Sequence, residues 1–315
     1  MTDLQGRTFT LASRASALAQ VQTNGVAETL RALFPEATFT TSFMTSVADR
    51  NPDATLASLG TAKEGKALWT SDLEAALVEG QADLLVHCLK DVPTTLPEGC
   101  EIAAVLERAD PVDSFVVKSG EGWMSLDELP EGSVVGTGSV RRSAQLRRGW
   151  PKLKVLGVRG NLDTRLAKLD DPNSPYSALI LAKAGMERVG FSERLTSDLP
   201  GTKFPYAVAQ GALAIEIRSG DAAAKALFDL WAERACLQVL EGGCSVPVGV
   251  VTNLSQDGEL EIFGCVTSVD GTEQVECTVR ERVSNAADAS AVGARLAQGL
   301  IDKGARKILD EIRAK

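Results

Sequence analysis

The sequence predicts an α/β protein of two similar-sized lobes followed by a small antiparallel α+β domain. Three observations carry that expectation. Strand-like and helix-like segments alternate through the first two-thirds of the chain, the pattern of sheets built from βαβ units. The last third changes to one long helix-like stretch, then three strand-like runs separated by Asp-Gly pairs, which signal hairpins. A chain of 315 residues is also long enough for two or three separate cores.

Each element follows from a local pattern. "TFTLAS" reads as a strand, and "SALAQVQTNGVAETLRALF" places Leu18, Val21, Val26, Leu30 and Leu33 near helical spacing. "ATFTTSFM" reads as the next strand. Ser71 and Glu74 in "SDLEAALVEG" have the spacing of a capping box, and Gly80 stops that helix. "ADLLVH" and "EIAAVL" follow as buried strands. After Asp110-Pro111 the alternation resumes through "SFVVK", "SVVGTG", the helix-like "SVRRSAQLRR", "KVLGVRG", "NLDTRLAKL" and "SALILA". The helix-like "DAAAKALFDLWAERACLQVL" leads into the strands "VPVGVVTNL", "ELEIFGCVTS" and "EQVECTVRERV", with Asp257-Gly258 and Asp270-Gly271 between them. One amphipathic helix carrying Val292, Leu296, Leu300, Ile308 and Ile312 closes the chain. The expected division is residues 1–108 with 208–228, residues 109–207, and residues 229–315. A hinge is expected near Arg108–Asp113 and Pro205–Gln210, where the chain crosses between the first two lobes.

Composition narrows the function classes. Hydrophobic content of 44% and charged content of 24% are those of a soluble globular protein. The first residues lack a basic segment followed by an apolar core, and no apolar run approaches the ~20 residues that span a bilayer. A cytoplasmic protein without a membrane partner is expected. Six cysteines are scattered without C-x-x-C or zinc-like spacing, so neither disulfides nor a zinc site is expected. One histidine, His87, leaves no multi-histidine metal site. The net charge of −9 argues against nucleic acid. Yet arginine is dense in "SVRRSAQLRR" and "GVRGNLDTRL", and a basic pocket in an acidic protein suits a small polyanion.

Several motifs sit where α/β proteins bind ligands. His87, Lys90 and Asp91 lie at or just past the carboxyl end of a buried strand, where open α/β sheets bind ligands. The bland alternative is a junction with solvated charges, and His87 itself reads as structural because it belongs to the strand. Thr137, Gly138 and Ser139 mark a strand-to-helix turn followed by Arg141 and Arg142. Free amides at a helix start beside guanidinium groups make an anion site. Arg141, Gln145 and Arg148 on one helical face also fit a solvated basic face. "VRGNLDTRL" repeats the arrangement, with Arg159 ending a strand, Asn161 as N-cap and Arg165 one turn in. Arg14 and Ser16 at the mouth of the first helix are a third instance, and Lys66 precedes the capped helix at Ser71. Repeated turns of this kind favour carboxylates or phosphates as ligands. Cys244 in "LEGGCSVPVG" keeps two readings, a small buried hydrophobe or a nucleophilic or covalently modified thiol in a glycine-opened loop.

The segments "SRASALAQVQ", "GKALWTSDLEAAL", "VHCLKDVPTTLPEG", "RADPVDSF", "VGTGSVRRSAQL", "VRGNLDTRLAKLD", "AVAQGALAIEIR" and "ERACLQVLEGGCSVPVG" occur in that order over nearly the whole chain. As an ordered set they resemble the porphobilinogen deaminase (hydroxymethylbilane synthase) family. The resemblance implies two lobes like those of periplasmic binding proteins plus a small C-terminal domain. It implies a monomeric transferase of haem biosynthesis, with Cys244 carrying a dipyrromethane cofactor through a thioether. Four porphobilinogen molecules are added to that primer, each releasing ammonia, and the linear product is cut off as hydroxymethylbilane. By the same resemblance Asp91 is the catalytic acid. Lys66, Lys90, Thr137, Ser139, Arg141, Arg142, Arg165 and Arg188 contact the cofactor, and Arg14, Ser16, Arg159 and Arg165 contact the substrate. The pyrrole acetates and propionates make cofactor and product dense polycarboxylates, which arginine binds bidentately. This chain departs from the family pattern at Ala17, Ala48, Trp69 and Cys88, none of which removes a proposed charged or nucleophilic group. The other class that the residues allow is a non-catalytic anion-binding protein, in which Asp91 and Cys244 would be idle.

Overall fold

The computed structural model describes residues 8–33, 35, 37–45, 70–219, 236, 240, 247–255, 258–283 and 286–313. The chain forms two compact units, Met1–Arg108 with Ala212–Lys225, and Ala109–Gly211 with Ala226–Lys315. The first unit begins with β1 (Thr8–Arg14), α1 (Ala17–Leu33), β2 (Thr38–Met44), α2 (Ser71–Val78), β3 (Leu84–Cys88) and β4 (Cys100–Val105). The second continues with β5 (Asp113–Val117), β6 (Val134–Gly136), α3 (Val140–Gly149), β7 (Lys154–Leu156) and α4 (Leu162–Asp170). It then adds β8 (Ala178–Ala182), α5 (Lys183–Arg188) and β9 (Ser197–Leu199). The chain returns to the first unit as β10 (Leu213–Arg218). The last third supplies β11 (Val248–Leu254), β12 (Glu259–Thr267), β13 (Gln274–Arg282), α6 (Ala286–Asp302) and α7 (Ala305–Arg313).

The two α/β lobes share one topology. Their sheets run β2-β1-β3-β10-β4 and β7-β6-β8-β5-β9. In the first, β1 is parallel to β2 and β3, and β10 is antiparallel to β3 and β4. In the second, β6 is parallel to β7 and β8, and β5 is antiparallel to β8 and β9. Each lobe thus inserts one reversed strand, the one that enters from a chain crossing, between its third and fourth strands. No internal sequence repeat announces this correspondence.

Covered sheets need residues that are apolar toward both faces. β8 meets that need, with Ala178, Leu179, Ile180 and Leu181 at most 1% exposed. Neighbouring residues along a strand point to opposite faces. Leu11, Val86 and Ile215 therefore pack with Val26 and Ala27 of α1, whereas Ala12 and Leu85 pack with Leu73 and Leu77 of α2. In the second lobe Phe115, Val135 and Ile180 meet Leu146 of α3, and Val116, Leu179 and Leu181 meet Leu166 and Leu169 of α4.

The structure alters several expectations. Val21 is 46% exposed, and α1 instead buries Gln22, Thr23, Val26 and Ala27. The polar pair is tolerated because each finds a partner: Gln22 bonds the Cys88 thiol, and Thr23 donates to Ser13 Oγ and Ala19 O. The single closing helix is two helices, because Gly304 at φ 103° ends the first after Asp302. The strand β10 has no counterpart among the expected elements. Of the long helix-like stretch before Cys244, only Cys236 and Leu240 are described, both buried in the C-terminal core. The hinge segments are closely bonded: Ala109 N donates to Gly211 O, and Gln210 Nε2 donates to Pro111 O at 2.6 Å. Phe204, Tyr206, Val208 and Gln210 are also buried.

The capping box is displaced as well. Thr70 takes the N-cap position of α2 without a side-chain bond, and Glu74 is turned into the core at 5% exposure. It lies near His87 and Glu216, which approach to 2.9 Å (Nε2–Oε2) with both side chains buried. Burial, reinforced by the Glu216 carboxylate, pushes the Glu74 carboxyl up. A carboxyl raised in the folded state costs stability as pH rises from its unfolded value, about 4.3, through its folded one. Glu74→Gln removes that cost and should gain thermal stability relative to the parent at pH 8 but little at pH 4. Melting curves of both proteins across that range test it; an advantage that shrinks with rising pH would show that Glu74 is ionised and well paired.

In the C-terminal part, β11-β12-β13 form an antiparallel sheet. Leu260, Ile262 and Val266 pack there against Leu296, Leu300 and Ile308 of α6 and α7. Within the second unit this sheet docks on the second lobe. Val250 N donates to Tyr206 O, Thr252 N to Tyr206 OH, and Arg147 to Val269 O. Gly271 at φ 79° makes the β12–β13 turn and also lies against α3. A Cβ there would stand 2.7 Å from Arg148 N and 3.0 Å from Ala144 O.

Candidate functional site

In the first unit the candidates gather at the carboxyl ends of two neighbouring central strands. β1 and β3 are adjacent and parallel, so Arg14 at the end of β1 leaves the sheet on the same side as the residues after Cys88. Ser16 caps α1, its Oγ accepting from Ala19 N at 3.3 Å. Lys90 and Asp91 occupy a 3₁₀ turn, Leu89–Asp91. That turn is anchored by Leu89 N donating to Ala212 O and Val92 N to Leu89 O. Both side chains are half-buried. The Asp91 carboxylate accepts no hydrogen bond from the described residues, an unusual state for a half-buried acid that is not part of a binding site. His87 is 6% exposed and faces Glu216, in keeping with its structural reading.

In the second unit two arginine-bearing turns stand side by side. β6 and β7 are parallel neighbours, with Gly136 opposite Leu156. Thr137 Oγ1 accepts from Ser139 N, and Ser139 caps α3 by accepting from Arg142 N. The second turn comes so close that a Cβ on Gly138 would sit 2.9 Å from Val158 O. Arg159 is half-buried in that turn, and Arg165 reaches back to Gly160 O at 2.7 Å. Asn161 occupies the N-cap of α4 but makes no side-chain cap bond. Arg188, at the end of α5, donates to Gly211 O at 2.7 Å.

Arg141 and Arg142 do not form a solvated face. They are 4% and 6% exposed, and Gln145 is 5% exposed; only Arg148 of the expected face is exposed. The first two share the carboxylate of Asp113, which is fully buried. Burial pushes the Asp113 carboxyl up, but the two guanidinium groups outweigh it and hold the group far below the usual carboxylate range. Its stabilising contribution is therefore present above about pH 4 and lost only in strong acid. Two cations against one anion leave one positive charge in excess among buried side chains. Arg141 Nε is also buried without an acceptor among the described residues. An excess buried cation with an orphan donor fits a ligand carboxylate, so this cluster suits the polycarboxylate cofactor that the resemblance implies.

Cys244, Lys66, Ala48 and Trp69 lie outside the described residues. The five described cysteines are free thiols, and among the described residues no group of three His, Cys, Asp or Glu could hold a metal ion. No described helix is long and apolar enough to cross a membrane. Asp113 and Gln210, which hold the arginine pair, are candidate residues that reading the sequence missed. Each lies in a segment quoted for the family resemblance, "RADPVDSF" and "AVAQGALAIEIR", but nothing local marks either as the partner of an arginine.

Comparison with known proteins covers nearly the whole chain. The family profile described as "Porphobilinogen deaminase, dipyromethane cofactor binding domain" matches residues 9–226, and "Porphobilinogen deaminase, C-terminal domain" matches residues 227–302. A porphobilinogen deaminase of Yarrowia lipolytica is 46% identical over 314 residues, 95% of this chain and 91% of that one. One of Saccharomyces cerevisiae is 42% identical over 97% of both chains, and one of Nostoc sp. is 44% identical over 97% of this chain and 95% of that one. Among solved structures, the periplasmic aliphatic sulphonate binding protein SsuA from Escherichia coli aligns at a TM-score of 0.39 and 12% identity. That alignment covers 68% of this chain and 66% of the other.

Proposed function

The chain belongs to the porphobilinogen deaminase family, and on that premise we propose which of its residues do the chemistry. It is a transferase of tetrapyrrole biosynthesis that condenses porphobilinogen to hydroxymethylbilane and contains the family's dipyrromethane cofactor-binding domain. When bound, that cofactor supplies the pyrrole carbon onto which porphobilinogen is joined.

One observation carries the assignment of roles. Every charged candidate that the structure describes lies at the carboxyl end of a parallel strand or in the helix that follows it: Arg14 after β1, Lys90 and Asp91 after β3, Arg141 and Arg142 after β6, Arg159 and Arg165 after β7, Arg188 after β8. Open α/β sheets bind ligands there because the strand ends and helix starts leave amides and side chains free to meet them. The arginines and Lys90 bind acetate and propionate groups, with Thr137, Ser139 and Ser16 shaping the turns. Asp91 gives a proton to the departing amine of porphobilinogen, and its carboxylate then balances the positive charge left on the pyrrole. Cys244 Sγ holds the cofactor as a thioether, and Lys66 adds a contact to it.

The same reading divides the chain into residues 1–108 with 208–228, which bear Asp91, residues 109–207, which bear most of the arginines, and residues 229–315, which bear Cys244. A cytoplasmic monomer is proposed with it, since the acidic balance of −9 offers little to nucleic acid or to anionic membranes. Intact-mass measurement of the purified protein tests the central claim. An excess over the sequence mass equal to two pyrrole units is expected, and it should shift by whole further units when porphobilinogen is added. A mass equal to that of the bare chain in active enzyme would end the covalent-primer assignment.

A further inference from the structure

The geometry points to Asp113 as the positioning residue of the arginine pair, its one carboxylate aligning Arg141 and Arg142 for ligand carboxylates and tying them to both chain crossings. The inference rests on the proposed role of those arginines, and it concerns how they are held. Asp113 is the first residue of β5, reached directly from the outward crossing. Its backbone lies between two strands, opposite Ala182 on one side and Leu199 on the other. The side chain therefore starts from a fixed point.

The two carboxylate oxygens are divided between the arginines. Oδ2 accepts from Arg141 Nη2 at 2.6 Å. Oδ1 accepts from Arg142 Nη2 at 2.7 Å, from Arg142 Nε at 3.1 Å and from Gln210 Nε2 at 2.8 Å. Four donors saturate a carboxylate. Arg142 also donates Nη1 to Ile180 O, so each of its side-chain nitrogens has an acceptor. Arg141 gives Nη1 to Pro205 O and Gln145 Oε1 and keeps Nε without an acceptor. Asp113 thus holds two like charges side by side in a pair of fixed orientations, with Arg141 Nε left without an acceptor among the described residues.

The same contacts reach both crossings. Gln210 bridges Asp113 to Pro111 O, and Gln145 joins Arg141 in donating to Pro205 O. No second carboxylate contacts either guanidinium among the described residues; the nearby acids Asp110 and Asp198 pair with Lys183 instead. Among the described residues only Asp113 sets the orientation of the arginines and offsets their repulsion at once.

Asp113→Glu keeps the charge but moves it by one methylene, so both guanidinium groups must shift. The expected result is a folded enzyme whose KM for porphobilinogen rises about tenfold or more, the effect of weakening a charge-assisted contact, with a much smaller change in kcat per cofactor-loaded molecule. A lower melting temperature with unchanged KM would reduce Asp113 to a structural ion-pair partner and overturn the inference. Gln210→Ala removes one donor from Asp113 and leaves both arginines in the chain, so it serves even where Asp113→Glu does not fold. A rise in KM of about two- to fivefold is expected, since a neutral hydrogen bond is worth less than a charged one, and wild-type KM would again overturn the positioning role. Arg141→Leu separates this inference from its premise. If that variant also keeps wild-type KM and adduct mass, the proposed carboxylate-binding role of the arginines fails; if it is impaired while Asp113→Glu and Gln210→Ala are normal, only the positioning role of Asp113 fails.

Discussion

Asp91→Asn should purify as a folded protein that still binds porphobilinogen or keeps pyrrole adducts, yet releases ammonia about 10²–10⁴-fold more slowly, the usual loss when general acid–base help is removed. The backbone at this site is held by Leu89 N on Ala212 O and Val92 N on Leu89 O, not by the aspartate side chain. Because that carboxylate accepts no bond from the described residues, its amide replacement costs the fold little. Chemically the change is severe. An amide cannot give a proton to the leaving amine, and it carries no charge to balance the cation that forms. Carboxylate binding by Arg141, Arg142 and Arg159 should persist, because Asp91 offers no attraction to an anionic substrate. Single-turnover ammonia release together with intact mass separates these effects, and near-normal release would leave Asp91 as a shaper of the strand–loop junction only.

Cys244→Ala should be soluble, should lack the covalent pyrrole excess in its intact mass, and should show no turnover. The residue stands in the "EGGC-x-VP" motif, which resembles the family's attachment site, four residues before β11 begins at Val248. Removing one sulfur there leaves no thioether to form, and without a primer the first condensation has no acceptor. The core of the C-terminal part rests on Leu260, Ile262, Leu296 and Leu300, so the mutation should not prevent folding. A mutant that retained the adduct would move the attachment elsewhere. Cys88 would be examined first, since it is half-buried, immediately follows His87 and lies three residues from Asp91.

The sequence was a good guide wherever the signal was local. The short apolar runs in "ADLLVH" and "SALILA", the Asp270-Gly271 turn and the serines before α1 and α3 each act through neighbours within a few residues, and the structure has those elements in place. The candidate residues were also legible, because strand ends followed by Ser, Gly and Arg form a recurring local pattern. The failures share a cause. "SVRRSAQLRR" reads as a basic face for water, yet Arg141 and Gln145 are buried, because their partners Asp113 and Pro205 stand 28 and 60 residues away. Glu74 looks like the far half of a capping box, yet it turns inward toward His87 and Glu216. The strand β10 lies in a stretch expected in the first lobe but is not legible as an element, because its partners β3 and β4 stand far earlier in the chain.

By itself the sequence determined most of the elements, their order, the reactive groups and the family that unites them, since all of these depend on residue chemistry and short-range periodicity. Only the tertiary structure decided which charges are buried and against what. A guanidinium is soluble or buried according to whether a carboxylate waits at the end of its reach. For Arg142 that carboxylate is Asp113, itself held by Gln210 across 97 residues of chain. Desolvation makes such a choice worth several kcal/mol per ion, and no pattern of adjacent residues records it.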